Sequence, residues 1–257
     1  PWDIEQTHQS LVPHLLEETY EVVDAIDALD ADPHTDPDTD PDADLIEELG
    51  DLLYQIEFHA TIAEQEGRFT IADVATGIHD KLVRRHPHVF GDLVGSDLDT
   101  EAVLSNWDDI KREEKSRTSI FEGIPRSMPA LAYAAKVGTK ASKVGFDWPN
   151  IDGAFPKIAE ETAELHEAIG DATNEATSSR PASNGAVVEE LGDLLFAVVN
   201  VARHLQLDPE LALRAATDKF RTRFEGVEQL ARQRSIDLRS ADLSTLDALW
   251  DEVKSGA

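Results

Sequence analysis

Two acidic phrases recur in this chain with the same internal spacing. Glu18 and Glu21 precede Glu48 and Asp51, and Glu161 and Glu164 precede Glu190 and Asp193. Each set reads Glu-x-x-Glu, a gap, then Glu-x-x-Asp. The second half of each lies in the phrase Glu-Glu-Leu-Gly-Asp-Leu-Leu, residues 47–53 and 189–195, followed by an aromatic, Tyr54 or Phe196. Residues three apart share a helix face with Cβ atoms roughly 5–6 Å apart, so two antiparallel helices would aim four carboxylates into one space. Carboxylates gathered in this way repel. At ~4 Å a pair costs about 1 kcal/mol in bulk water and several times that when partly buried. Uptake of protons or of a cation relieves the repulsion. Oxygen ligands without cysteine or an inward histidine select a hard ion, Mg²⁺ or Mn²⁺, which keeps waters and binds phosphates.

Basic residues repeat in step with the acids. Lys81 and Arg85 correspond to Lys219 and Arg223, each pair four apart and so on one helix face. Trp107 and Lys111 correspond to Trp250 and Lys254. In a chain poor in base, Lys219 and Arg223 suit the far side of a metal as phosphate clamps, a point charge and a planar fork. The two tryptophans either stack on a base or pack the last helix. The implied chemistry is metal-assisted transfer of a phosphoryl or nucleotidyl group to water, with a carboxylate accepting the proton.

The elements that must position these residues are helical. Apolar residues recur at about 3.6-residue spacing over 11–29, 44–66, 71–85, 100–116, 129–141, 152–169, 186–206, 209–234 and 243–254. No β-alternation of useful length interrupts them, so the expected class is all-α. Gly50 lies inside a helical phrase, where it should cost about 1 kcal/mol relative to Ala; its value there is close approach of a partner helix or a ligand. The Asp-Pro stretch of residues 31–43 reads as a solvated loop, since repeated proline opposes helix. It lacks the glycine and terminal Glu of an EF-hand. Asp152 is the expected cap of the second acidic helix, and a polar loop is expected over 171–185. Two tandem helical-bundle modules follow, residues 1–116 and 144–257, joined by a helical connector over 117–143.

Composition narrows the partners. With 52 acidic against 23 basic residues, formally −29, the surface repels nucleic acid and anionic membrane. A hydrophobic fraction of 41 % is enough for helical cores. Cysteine is absent, so no disulfide framework or thiolate metal site exists. No apolar run reaches a membrane span and no signal peptide is visible, which makes a cytoplasmic location the default. The first residue is Pro1 and not Met, which leaves room for a preceding piece.

The motifs taken together resemble the all-α nucleoside triphosphate pyrophosphohydrolases, and their tandem arrangement resembles the MazG type. Pro1-Trp2-Asp3 with Glu5-Gln6-Thr7-His8, Leu16-Glu17-Glu18-Thr19-Tyr20-Glu21, Glu48-Leu49-Gly50-Asp51-Leu52-Leu53 and Arg84-Arg85-His86-Pro87-His88-Val89-Phe90 carry it in the first half. Val144-Gly145-Phe146-Asp147-Trp148 and Val201-Ala202-Arg203-His204-Leu205 carry it in the second. The resemblance implies Mg²⁺-dependent hydrolysis of NTPs or dNTPs between the α and β phosphates, giving NMP and pyrophosphate, by a homodimer. It implies that Glu161, Glu164, Glu190 and Asp193 hold the metal, that Lys219 and Arg223 contact phosphates and that Trp250 lies near the nucleotide. Glu164 or Glu190 would activate the water, and the second module would be the main catalytic unit. The first module keeps Glu18, Glu21, Glu48, Asp51, Lys81, Arg85 and Trp107, enough for a second site.

Two readings from other classes compete. A di-iron carboxylate bundle needs inward Glu-x-x-His pairs, and the sole example, Glu5 with His8, precedes the helices. A regulatory nucleotide-binding or dimerisation protein without turnover would carry the same fold, and intact acids and clamps oppose it.

Overall fold

A computed structural model describes residues 1–29, 40–91, 119–176 and 185–256. Every regular element among them is helical. The chain divides into two compact units, Pro1–Ser116 and Arg117–Ala257. The expected helix over 100–116, with Trp107 and Lys111, and most of the Asp-Pro stretch lie outside the described residues.

In the first unit α1 (Val12–Leu29) packs along α2 (Pro41–Gln65). Glu21 meets Glu48, Glu18 meets Gln55, and His8 meets His59, so the two helices run antiparallel. Leu11, just before α1, Val22 and Ala25 on α1, and Phe58, Ala60 and Ala63 on α2 are buried. Proline does not stop α2, contrary to the reading of residues 41–43 as loop. Asp40 caps the helix by accepting from the N–H groups of Asp42 and Ala43, and Pro41 sits in the first turn, where its missing N–H costs nothing. Gly67 ends the segment in the left-handed region at φ +68°.

His8, in the polar lead-in, serves the fold. Its Nδ1 lies 2.8 Å from His59 Nδ1. Arg68 donates to His8 Nε2, so His8 must donate from Nδ1 to His59. Burial, then the neighbouring His8, holds the His59 imidazole below its ordinary pKa.

Helix α3 (Ile71–Arg85) begins at a capping box: Thr70 Oγ1 accepts from Asp73 N–H, and the Asp73 carboxylate accepts from Thr70 N–H. Thr70→Ala is expected to lower stability by roughly 1 kcal/mol, measured as a shift in the denaturant midpoint at unchanged m. A single turn, α4 (Pro87–Phe90), follows.

The second unit contains α5 (Ala130–Ser142), α6 (Phe155–Ala176), α7 (Gly185–His204), α8 (Pro209–Gln233) and α9 (Leu243–Ser255). α6 pairs with α7 as α1 pairs with α2, and the helix expected in the connector, α5, packs on α7 and α8. Asp152 does not cap α6. It lies within a 3-10 turn (Ile151–Gly153) that Asn150 caps by accepting from Asp152 N–H, and α6 starts at Phe155. Asp171 to Ala176, expected as loop, continue α6, since nothing before Ala176 breaks the helix. At the other end of the unit Val227, Ala231 and Leu249 make a core with Ile236, Leu238, Trp250 and Val253 around it. A Cβ on Gly226 would stand 3.0 Å from Val253 Cγ1, so this glycine sets how closely α8 and α9 approach.

The repeat shows one difference in packing. On α7, Phe196, Val199, Asn200 and Arg203 face α5 residues Ala134, Ala135 and Gly138. On α2 the residues 142 positions earlier, Tyr54, Glu57, Phe58 and Thr61, line a cleft of about 500 Å³ beside Asp3 and Ile4.

Candidate metal and nucleotide site

Helical spacing brings the acids together in both units. In the first, carboxylate oxygens of Glu18, Glu21 and Glu48 lie within 4.8 Å of one another. Asp51 is not in that group but lies near enough to Glu48 to raise its pKa. In the second, Glu161, Glu190 and Asp193 form one such group. Glu161 also belongs to another, with Glu160 and Glu164. Glu160 was not marked by the motif; its position beside Glu161 in the Glu-Glu-Thr-Ala-Glu run is the only sequence signal for it. These separations approach the roughly 3–4 Å that ligands on an octahedral ion with ~2.1 Å bonds require. The donor set, oxygen throughout, fits a hard divalent ion.

The cost of assembling them is visible in their acidity. Loss of solvation, then the charges of Glu48 and Glu18, pushes Glu21 above the usual carboxylate range. Loss of solvation, then Glu47 and Asp51, does the same to Glu48. For Glu164 the causes are loss of solvation, then Glu161 and Glu190. A carboxyl whose folded pKa is raised stabilises the fold below its unfolded value, and that contribution is lost as pH rises through the folded pKa. The metal-free protein is therefore expected to lose thermal stability as pH rises above the ordinary carboxylate range. Added Mg²⁺ should raise Tm at pH 7.5 and do so much less at pH 4.5. Calorimetric scans at the two pH values, with and without Mg²⁺, check this.

One cation already sits in the second cluster. Lys157 Nζ lies 2.7 Å from Glu161 Oε1 and 2.9 Å from Glu160 Oε1, one helical turn from each. These bonds, Glu161 first, raise its pKa. Lys157 has no counterpart in the repeat, and its i,i+4 relation to Glu161 is the sequence signal for it.

Among the described residues, Lys81, Lys219, Arg223 and Lys254 form no ion pair with the acidic cluster of their own unit. Arg85 lies in the last turn of α3, where positive charge suits the helix dipole. Trp250 packs on the core of α8 and α9, and its ring centroid lies 5.1 Å from that of Phe220. Phe220 in turn stacks on Phe224 at 6.0 Å. Thus Lys219 and Arg223 share their helical turn with a partly exposed aromatic ladder whose innermost member is Trp250. The Cβ positions of Gly50 and Gly192 meet nothing within 4 Å. The close helix approach expected at Gly50 is therefore not made among the described residues, and the space beside both phrases is open.

The motif Phe146-Asp147-Trp148 finds its use at the end of α7. Arg203 Nη1 and Nη2 donate to the two Asp147 oxygens at 2.7 and 2.5 Å, and His204 Nε2 lies 3.1 Å from one of them. Arg203 Nε also donates to Asn200. The Arg203 hydrogen bonds hold the Asp147 carboxyl below its usual range despite partial burial. Trp148 lies across Gly153, where any Cβ would come within 2.5 Å of the indole. The loop leading into α6 is thereby tied to the helix that carries Glu190 and Asp193.

A duplicated all-α scaffold, with an oxygen-only acidic cluster on paired helices in each half, defines a helical protein whose carboxylates could hold a divalent ion. Comparison with known proteins makes the assignment closer. The MazG nucleotide pyrophosphohydrolase domain matches residues 6–90 and 152–227, which include all eight repeated acids. The chain belongs to that family. It is 43 % identical to a nucleoside triphosphate pyrophosphohydrolase of Escherichia coli K12, over 99 % of this chain and 90 % of the relative. It is 42 % identical to a nucleoside triphosphate pyrophosphohydrolase/pyrophosphatase MazG of Thermotoga maritima, over 99 % and 89 %. A third relative, the uncharacterized protein YabN of Bacillus subtilis, is 44 % identical over 99 % of this chain and 48 % of its own length.

Proposed function

We propose that the protein is an enzyme that hydrolyses nucleoside triphosphates, NTPs or dNTPs, at the α–β phosphate bond, yielding a nucleoside monophosphate and pyrophosphate. The observation that carries this reading is the convergence of Glu161, Glu190 and Asp193 within 4.8 Å, with Glu164 beside them held above its ordinary pKa. Family membership and the named activity of the full-length relatives support it.

Glu161, Glu164, Glu190 and Asp193 would hold Mg²⁺, with Mn²⁺ as a substitute, and Glu18, Glu21, Glu48 and Asp51 are the corresponding set in the first unit. A bound divalent ion supplies positive charge to the phosphate oxygens and lowers the pKa of water. The water oxygen forms a new bond to one phosphorus of the α–β bridge, the bond from that phosphorus to the bridging oxygen breaks, and nucleoside monophosphate and pyrophosphate separate, the bridging oxygen staying with the departing one. Glu164 or Glu190 takes the proton from that water; the raised pKa of Glu164 suits it to the task. Lys219 and Arg223 bind phosphate oxygens, Trp250 and Lys254 lie on the nucleotide side, and Lys81, Arg85 and Trp107 are their counterparts in the first unit. The second unit is the main catalytic one.

The working form is a cytoplasmic homodimer. Leu49, Leu53 and Tyr54 on α2, and Leu191, Leu195 and Phe196 on α7, are each 44–62 % exposed, and a second copy would cover apolar side chains of this kind. Light scattering is expected to give about twice the 28.3 kDa chain mass. The activity itself is tested by pyrophosphate release across a panel of NTPs and dNTPs with Mg²⁺. Release from at least one nucleotide is expected; none from any would favour the regulatory binding protein.

A further inference from the structure

Glu18 and Glu161 occupy the same repeat position, yet different groups hold them. In the second unit the Lys157 ammonium bonds Glu161, whose side chain is only 9 % exposed. In the first unit the residue four before Glu18 is His14, and it turns to Glu17 at 3.7 Å. Glu18 is approached instead from α2 by Gln55 Nε2 at 3.4 Å, a neutral amide. Ala197 stands at the corresponding position in the second unit. Gln55 is 5 % exposed, and its Oε1 is buried without a hydrogen-bond partner. A buried acceptor left in this state is costly and calls for a donor.

We propose that the two carboxylate clusters are unequal cation sites: in the absence of nucleotide the first unit takes a divalent ion readily, whereas Lys157 is an internal counter-ion that the ion must displace in the second. The proposal rests on the reading that both clusters hold such an ion. Among the described residues no ammonium or guanidinium pairs with Glu18, Glu21 or Glu48, and the buried Gln55 amide that reaches Glu18 keeps its Oε1 without a partner. In the second unit the field of three acids is partly cancelled by an ammonium 2.7 Å from the most buried of them. Coulomb attraction at an effective dielectric between that of water and that of a protein surface, reduced for exposure, makes this roughly a tenfold handicap.

The test is Mn²⁺ binding to the whole chain without nucleotide, followed by loss of the free-ion electron paramagnetic resonance signal. Two classes of site are expected, about tenfold apart. Glu48→Gln should remove the tighter class and Glu190→Gln the weaker. Lys157→Met should tighten the weaker class about tenfold, and Gln55→Leu should loosen the tighter one. Two equal classes, loss of the tighter class in Glu190→Gln, or no response to Lys157→Met in a variant that keeps its circular dichroism would overturn the proposal. If Lys157→Met does not fold, the Glu48→Gln and Glu190→Gln titrations decide the order of loading alone. Failure of the underlying reading looks different: Mn²⁺ binding would be absent, or untouched by both glutamate variants.

Discussion

Glu164→Ala and Glu190→Ala are each expected to lower pyrophosphate release by a factor of about 10²–10⁴, the usual worth of a positioned acid–base group. Both acids are in the cluster of the second unit, and neither contributes to a buried apolar core. The loss should therefore come with a folded protein. Removing Glu164 or Glu190 also removes a like charge from Glu161, so thermal stability without metal should rise slightly while Mg²⁺ stabilises less. That opposite movement of activity and stability separates loss of chemistry from loss of structure. Glu21→Ala, the same change in the first unit, should leave more than half of the rate. Equal losses from Glu21→Ala and Glu164→Ala would show that both units turn over substrate.

The second large effect falls on stability. Asp147→Ala strips a bidentate guanidinium of its partner while Arg203 and His204 remain 14 % and 11 % exposed. An ion pair broken inside a protein costs about 3–5 kcal/mol when fully buried; with Asp147 at 22 % exposure the expected loss is nearer 2–3 kcal/mol. Because the folded pKa of Asp147 is depressed, this contribution is present at neutral pH and is lost as pH falls through the carboxylate range. A double-mutant cycle with Arg203→Met, run by denaturant unfolding at pH 7, should give a coupling of about 2 kcal/mol. Coupling near zero would mean that the loop before α6 is held by Trp148 on Gly153 alone.

Helix positions were the most legible part of this chain where local chemistry marks both ends. α3 is bounded by the Thr70 box and His86-Pro87, and α8 and α9 start at Asp208-Pro209 and Asp242. Proline misled at Pro41, because the same residue that ends a helix interior is welcome in a first turn after an Asp cap. Asp152 misled in a related way: both Asn150 and Asp152 can cap, and Asn150 does so at the head of a 3-10 turn whose Gly153 lies against Trp148. The acids could be read because the repeat doubles their signal. Gln55 and Lys157 could not be read from the repeat, since each is replaced in the other unit, by Ala197 and His14. Trp250 was open between base stacking and packing until its place beside Leu249 and Phe220 was known. The apolar positions of α2 and α7 predict burial, yet Leu53 and Leu195 are 62 % and 49 % exposed. No periodicity within one helix can distinguish an exposed apolar face from a core.

The central claim is that these acids were gathered to hold a divalent ion against a polyphosphate cleaved between its α and β phosphorus atoms. Phosphorus-31 magnetic resonance of a nucleoside triphosphate incubated with the whole chain tests it most directly, run once with Mg²⁺ and once with excess chelator. The account predicts nucleoside monophosphate and pyrophosphate in equal amounts with Mg²⁺, and an unchanged spectrum with chelator. Appearance of nucleoside diphosphate with orthophosphate, or turnover at the same rate in chelator, would contradict it.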